Sequence, residues 1–166
     1  MSLISKEAID LLHYRIEQEE LSSRLYEQMS YYLTNQGYLN FGKLYKKFAT
    51  EEMSHAMWAK DYLLSFGITP ILPVIEAPIS SFEGLPSIIE ITLEHESNIT
   101  QQCKNFGLKA MQLGDLNLFE VASQYNKEQI EEMDKAITLN DFLKTFGTDK
   151  QALLILETHL KEYYEL

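Results

Sequence analysis

From Lys6 to about Asn35 the chain contains neither glycine nor proline, and its apolar residues recur with helical spacing. Ile9, Leu12 and Ile16, then Leu25, Met29 and Leu33, follow three- and four-residue steps, which predicts one long amphipathic helix. Ser5 can cap its start, and Gly37 can end it in a left-handed conformation. A second helix is expected from about Asn40 to Phe66, with Gly67 just beyond it. Gly42 falls in its first turn, where the helix cost of glycine is small. A third helix runs from about Pro86, tolerable in a first turn, to Leu113. After the break at Gly114-Asp115 a fourth continues to Phe146, and Gly147 stops it. Thr148 or Asp149 can cap a short fifth helix from Lys150 to about Leu160.

The connections constrain the topology. Helices one and two are joined by a few residues, and so are three and four, so each pair is antiparallel. Pro70, Pro73, Pro78 and Gly84 forbid a helix between the second and third. That linker of about 18 residues spans roughly 60 Å when extended at about 3.3 Å per residue. The second helix, about 27 residues, is roughly 40 Å long at about 1.5 Å each. The linker can therefore run the length of the bundle and let helix three lie parallel to helix two. The expected fold is all-α: a four-helix bundle with one long crossover between helices two and three, plus a short C-terminal fifth helix. One domain over 1–166 is expected, with the bundle at about 5–146 and the fifth helix at about 149–160. The apolar stripe of the fifth helix, Ala152, Leu153, Leu156 and Leu160, has nothing left to bury against within a completed bundle. It is therefore expected to meet other subunits.

Composition narrows the function. The net charge is −11, with 25 acidic against 14 basic residues, which argues against nucleic-acid binding. The longest apolar runs fall far short of a membrane span. No secretory signal is read at the N-terminus, and Cys103, the single cysteine, has no partner for an intrachain disulfide. A reducing, cytoplasmic setting is expected, with Cys103 a buried small side chain.

Glu52 and His55 lie three residues apart and so share a helix face. Glu19 and Tyr26 share a face on helix one, Glu96 sits near the middle of helix three, and Gln129 and Glu132 are three apart on helix four. In an antiparallel bundle, mid-helix positions meet at mid-height. Four helices aiming carboxylates and an imidazole inward make the ligand set of a di-iron bundle, and iron takes oxygen and imidazole donors. Glu52 can bridge two metals. Without metal such a cluster is costly, because buried carboxylates repel one another and lose hydration.

These residues resemble the ferritin family, specifically the bacterial non-haem ferritins. The similarity covers nearly the whole chain. It is carried by Leu25-Tyr26-Glu27-Gln28-Met29-Ser30, Glu51-Glu52-Met53-Ser54-His55, Glu96 with Ile99-Thr100-Gln101, and Glu128-Gln129-Ile130-Glu131-Glu132. The resemblance implies a ferroxidase centre. Glu19, Glu52 and His55 would hold the first iron, and Glu52, Glu96 and Gln129 the second. Tyr26 is similar to the tyrosine beside that centre. Glu51, Glu128, Glu131 and Glu132 are similar to the carboxylates of a third iron site; for Glu51, Glu128 and Glu131 a solvated acidic face is the alternative. The implied substrates are Fe(II) with dioxygen or hydrogen peroxide. The implied assembly is a homo-oligomeric cage of 24 subunits storing ferric mineral.

Departures from the family pattern bear on the reading. The second Glu-x-x-His of bacterioferritins is replaced by Gln129 and Glu132. Met53 takes the haem-ligand position of bacterioferritin but is read as core or interface packing, so no haem is expected. Gln124 stands where bacterial ferritins often carry tryptophan. Phe119 and Ala122 stand where animal ferritins carry the acids of iron-access channels, with Asp115 and Glu120 nearby. His13, His95 and His159 are expected at the surface. A smaller di-iron oxidase or peroxidase without mineral storage is the alternative function, and a shell protein with an inactive centre is a third.

Overall fold

Local capping starts most of the helices where the sequence puts them. The computed structural model describes residues 3–166. Its helices are α1 (Lys6–Asn35), α2 (Leu39–Ser65), α3 (Leu85–Leu113), α4 (Leu116–Phe146) and α5 (Lys150–Tyr163). Ser5 Oγ accepts from the Ala8 N–H at 3.1 Å and opens α1. Asp115 Oδ1 does the same for α4 from Leu118 N–H at 2.9 Å. For α5 the cap is Asp149, whose Oδ1 accepts from Gln151 and Ala152 N–H at 3.0 and 3.1 Å. Gly114 ends α3 at φ 64°, a left-handed conformation that a side chain would strain.

The start of α2 is capped from a distance. Tyr38 at its N-cap supplies no side-chain bond. Glu157 of α5 does so instead, accepting from Asn40 N–H at 2.5 Å and Phe41 N–H at 3.1 Å. A carboxylate at a helix N-terminus satisfies orphan donors and meets the positive end of the helix dipole. This corrects the expectation for the fifth helix. Ala152, Leu153, Leu156 and Leu160 are buried within the subunit, where α5 packs on α2 and α4. The stripe is covered because α5 folds back over the end of the bundle. A different α5 face, Leu154 and Ile155, stays more than half exposed.

α1 packs along α2, and α3 along α4. Gly42 permits close approach near the α1–α2 turn: an added Cβ would fall 2.2 Å from Thr34 Oγ1. The crossover follows α1. Its Ile71 N–H donates to His13 Nε2 at 3.0 Å, and its Phe82 carbonyl accepts from Tyr32 OH at 3.0 Å. His13 and Tyr32 lie near opposite ends of α1, so the linker traverses most of the bundle. Tyr45, early in α2, meets Thr92, early in α3, at 2.8 Å, as the parallel arrangement requires.

The core is divided in two. One apolar cluster includes Met29, Leu33, Phe41, Leu44, Ile88, Leu139 and Leu156. The other includes Leu12, Ile16, Ala59, Leu63, Ile99, Phe106 and Leu118. On every bundle helix the gap between the clusters falls near the middle. The candidate ligands occupy that gap.

Candidate metal centre

Glu19 of α1, Glu52 and His55 of α2, Glu96 of α3, and Gln129 and Glu132 of α4 are all buried, between 3% and 7% exposed. His55 Nδ1 lies 3.3 Å from Glu52 Oε2 and 3.7 Å from Glu19 Oε2. These three side chains offer ligand atoms within 4.8 Å of one another. A second trio, His55, Glu128 and Glu132, meets the same limit. Its contact to the imidazole is through the other nitrogen, Nε2, 3.5 Å from Glu128 Oε1.

Glu96 is held at both oxygens. Tyr26 OH donates to Oε1, and Gln129 Nε2 donates to Oε2 at 2.6 Å. Burial, followed by the charges of Glu19 and Glu96, pushes the Glu52 carboxyl well above the usual carboxylate range. Burial also raises Glu96, against the hydrogen bonds from Tyr26 and Gln129. Glu132 is pushed up to about 7 by burial, against the pull of Lys135. Burial disfavours the carboxylate form of these acids, and a bound cation restores it by compensating the charge in place of a proton. A set of oxygen donors and one imidazole, with no thiolate, suits iron or a similar divalent metal.

Sequence reasoning missed the cations. Arg15, 1% exposed, places Nε 2.7 Å from Glu19 Oε1. The approach lies off the N–H axis, so it is an ion pair rather than a well-formed hydrogen bond. Lys135 Nζ reaches Glu132 at 2.9 Å and Glu51 at 3.1 Å. Their spacings, Arg15 four before Glu19 and Lys135 three after Glu132, were visible in the sequence as same-face pairs. Tyr125 was missed as well; its OH donates to the His55 carbonyl at 2.6 Å.

Several sequence expectations need correction. His95 is partly buried rather than freely exposed: Nε2 lies 2.8 Å from Ser22 Oγ, and its ring meets Tyr26 edge-on at 5.7 Å. Burial and the nearby charge of Arg15 push it down to about 4. The 100° turn from Glu96 aims it at α1 rather than at solvent. His159 packs among Phe142, Phe146 and Tyr163, and His13 takes the crossover bond. Met53 is 43% exposed, so it is no part of the subunit core. Gln124 is exposed on α4. The indole beside the cluster is Trp58 of α2, its ring 4.7 Å from His55 and 5.2 Å from Tyr125. Glu131 is exposed. Cys103 is buried and free, as expected.

Residues 9–151 match the family described as the ferritin-like domain. The chain belongs to the ferritin family. A probable bacterial non-haem ferritin-like protein of Haemophilus influenzae is 31% identical over 95% of this chain and 96% of its own length. A bacterial non-haem ferritin of Escherichia coli is 28% identical over 95% and 96%. Among solved structures, the open pore ferritin of Archaeoglobus fulgidus superimposes with TM-score 0.91 at 31% identity, covering 96% of this chain and 98% of that one. Iron storage with ferroxidase activity is the function of this family, and the buried carboxylate and histidine cluster has the composition that activity requires. Membership also implies an oligomeric cage. Among the described residues, no helix is long and apolar enough to cross a membrane.

Proposed function

We propose that this ferritin oxidises Fe(II) at a di-iron centre within each subunit and stores the product as ferric mineral inside a 24-subunit cage. The observation that carries the reading is the buried trio Glu19, Glu52 and His55, converging from two helices between two apolar cores. Glu19, Glu52 and His55 Nδ1 bind the first Fe(II). Glu52, Glu96 and Gln129 bind the second, with Glu52 shared.

Iron is the substrate, and the protein's part is to pair two ions and manage protons. Metal binding needs Glu52 and Glu96 as carboxylates, so the arriving ions compete with the protons that burial favours there. Tyr26 and Gln129 keep Glu96 oriented before the metal arrives. The two Fe(II) give one electron each; dioxygen takes both with two protons and leaves as hydrogen peroxide. With hydrogen peroxide as the oxidant, the same two electrons and two protons yield two waters. Glu128 Oε1 lies 3.5 Å from His55 Nε2, and a carboxylate there would orient the ring and leave Nδ1, on the side of Glu19 and Glu52, as the nitrogen to bind iron.

Cage assembly is supported by apolar surface that the subunit leaves uncovered: Leu154 and Ile155 on α5, and Leu108, Met111, Leu116 and Ile130 on α3 and α4. A cytoplasmic setting suits the free thiol of Cys103. The test is stopped-flow Fe(II) oxidation by Glu52→Ala beside His13→Ala. Glu52→Ala loses more than the roughly 10–100-fold that an outer-shell partner costs, and His13→Ala keeps the wild-type rate. Equal rates in the two variants remove Glu52 from the centre.

A further inference from the structure

We propose that Lys135 is a built-in cation occupying the place of a third metal ion, so that each subunit binds two irons rather than three. The inference rests on the ferroxidase reading above. It starts from the four carboxylates whose pattern suggests a third site: Glu51, Glu128, Glu131 and Glu132. The structure gives all four a different partner or place. Glu51 and Glu132 converge from α2 and α4 on one atom, Lys135 Nζ, at 3.1 and 2.9 Å. Those are hydrogen-bond lengths to an ammonium, longer than the roughly 2.0–2.2 Å of a metal–carboxylate bond. Glu128 faces His55 Nε2 at 3.5 Å. Glu131 turns outward on α4 and is exposed.

Position and tethering both favour the ammonium. Its charge lies between the two carboxylates that a bridging ion would need. The side chain is held from the same helix face as Glu132, one turn away. Nζ also sits 5.7 Å from the centre of the Phe48 ring, so the cation has an aromatic face as well as two carboxylates. Only 27% of the side chain is exposed, which leaves little water to compensate those contacts if it swings away. A metal ion entering between Glu51 and Glu132 must break both charge-assisted bonds and then stand beside the displaced ammonium. The first pair of sites has no such obstacle. Arg15, the other buried cation, pairs with the Glu19 oxygen opposite the one that faces His55 and so leaves that oxygen free for a ligand.

The count of bound metal distinguishes the possibilities without any oxidation step. Zinc, which does not change oxidation state, is titrated calorimetrically into metal-free assembled protein. The wild type is expected to take up two zinc ions per subunit at the centre, and Lys135→Met three, because removing the ammonium leaves two carboxylates facing each other. Lys135→Arg keeps the charge and stays at two. Glu51→Gln in the wild-type background also stays at two, since Glu51 serves Lys135 rather than a metal. Three zinc ions in the wild type overturn the inference whatever the variants do. Two in Lys135→Met also overturn it and leave Lys135 as a tie between α2 and α4 only. If Lys135→Met does not fold, the wild-type and Glu51→Gln counts decide: two in both supports the inference, and a loss of one ion in Glu51→Gln overturns it. A wild type that binds no zinc removes the ferroxidase reading and this inference together, an outcome distinct from all the others.

Discussion

Arg15 and Glu19, one turn apart on α1, form an ion pair at 2.7 Å with both side chains nearly excluded from solvent. The guanidinium also approaches Gln102 and Cys103 of α3 at 3.3 and 3.6 Å, so it ties the first ligand helix to the third. Removing one partner of a buried pair leaves an uncompensated charge and costs about 3–5 kcal/mol. Arg15→Met is therefore expected to lower the thermal midpoint of metal-free protein strongly. Bound zinc, by supplying positive charge to Glu19, is expected to recover part of the loss. A variant equally destabilised with and without zinc would show that Arg15 acts on packing alone.

The pH dependence of the metal-free protein follows from Glu132. Its carboxyl is raised from 4.5 to about 7 in the folded state. The folded protein holds that proton more tightly than the unfolded chain, so the stabilisation is fully present below the unfolded value. It is lost as pH rises through about 7, on the order of 3 kcal/mol in all. Burial moves Glu52 and Glu96 in the same direction. Relative to Glu132→Gln, which cannot ionise, wild-type metal-free protein should lose thermal stability between pH 5 and pH 8. With zinc present the trend reverses, because metal binding needs the deprotonated carboxylates. A wild-type minus Glu132→Gln difference that does not change with pH contradicts the raised carboxyl.

Trp58 is the single tryptophan of the chain, and its ring lies 4.7 Å from His55. Its fluorescence therefore reports on the first metal position directly. Cobalt(II), which is paramagnetic, should quench most of that emission and saturate as the site fills. His55→Ala should lose the high-affinity phase of quenching. Emission unaffected by cobalt in the wild type would place the metal elsewhere.

The helices were legible because glycine, proline and capping residues mark their ends, and helical periodicity does not depend on neighbours. The mid-height convergence of Glu19, Glu52, Glu96 and Gln129 was legible for the same reason: bundle geometry turns position along a helix into height. What the sequence did not reveal depends on which face meets which partner. Nothing in the sequence marks Arg15 and Lys135 as buried; the packing of α1 on α3 and of α2 on α4 covers them. The cap that Glu157 supplies to α2 depends on α5 folding back onto the start of that helix, which no local pattern shows. That same fold-back buried the stripe assigned to other subunits. His95 was misplaced because an angle around one helix does not say what stands opposite it.

Paired oxidation at this centre should feed a mineral store. The direct measurement is iron retained per subunit after metal-free protein is given excess Fe(II) in air and passed through a sizing column. Retention far above the two ions the centre holds, in a very large particle, is the expected result. Retention of about two ions, in a small oligomer, would contradict storage and leave a di-iron oxidase.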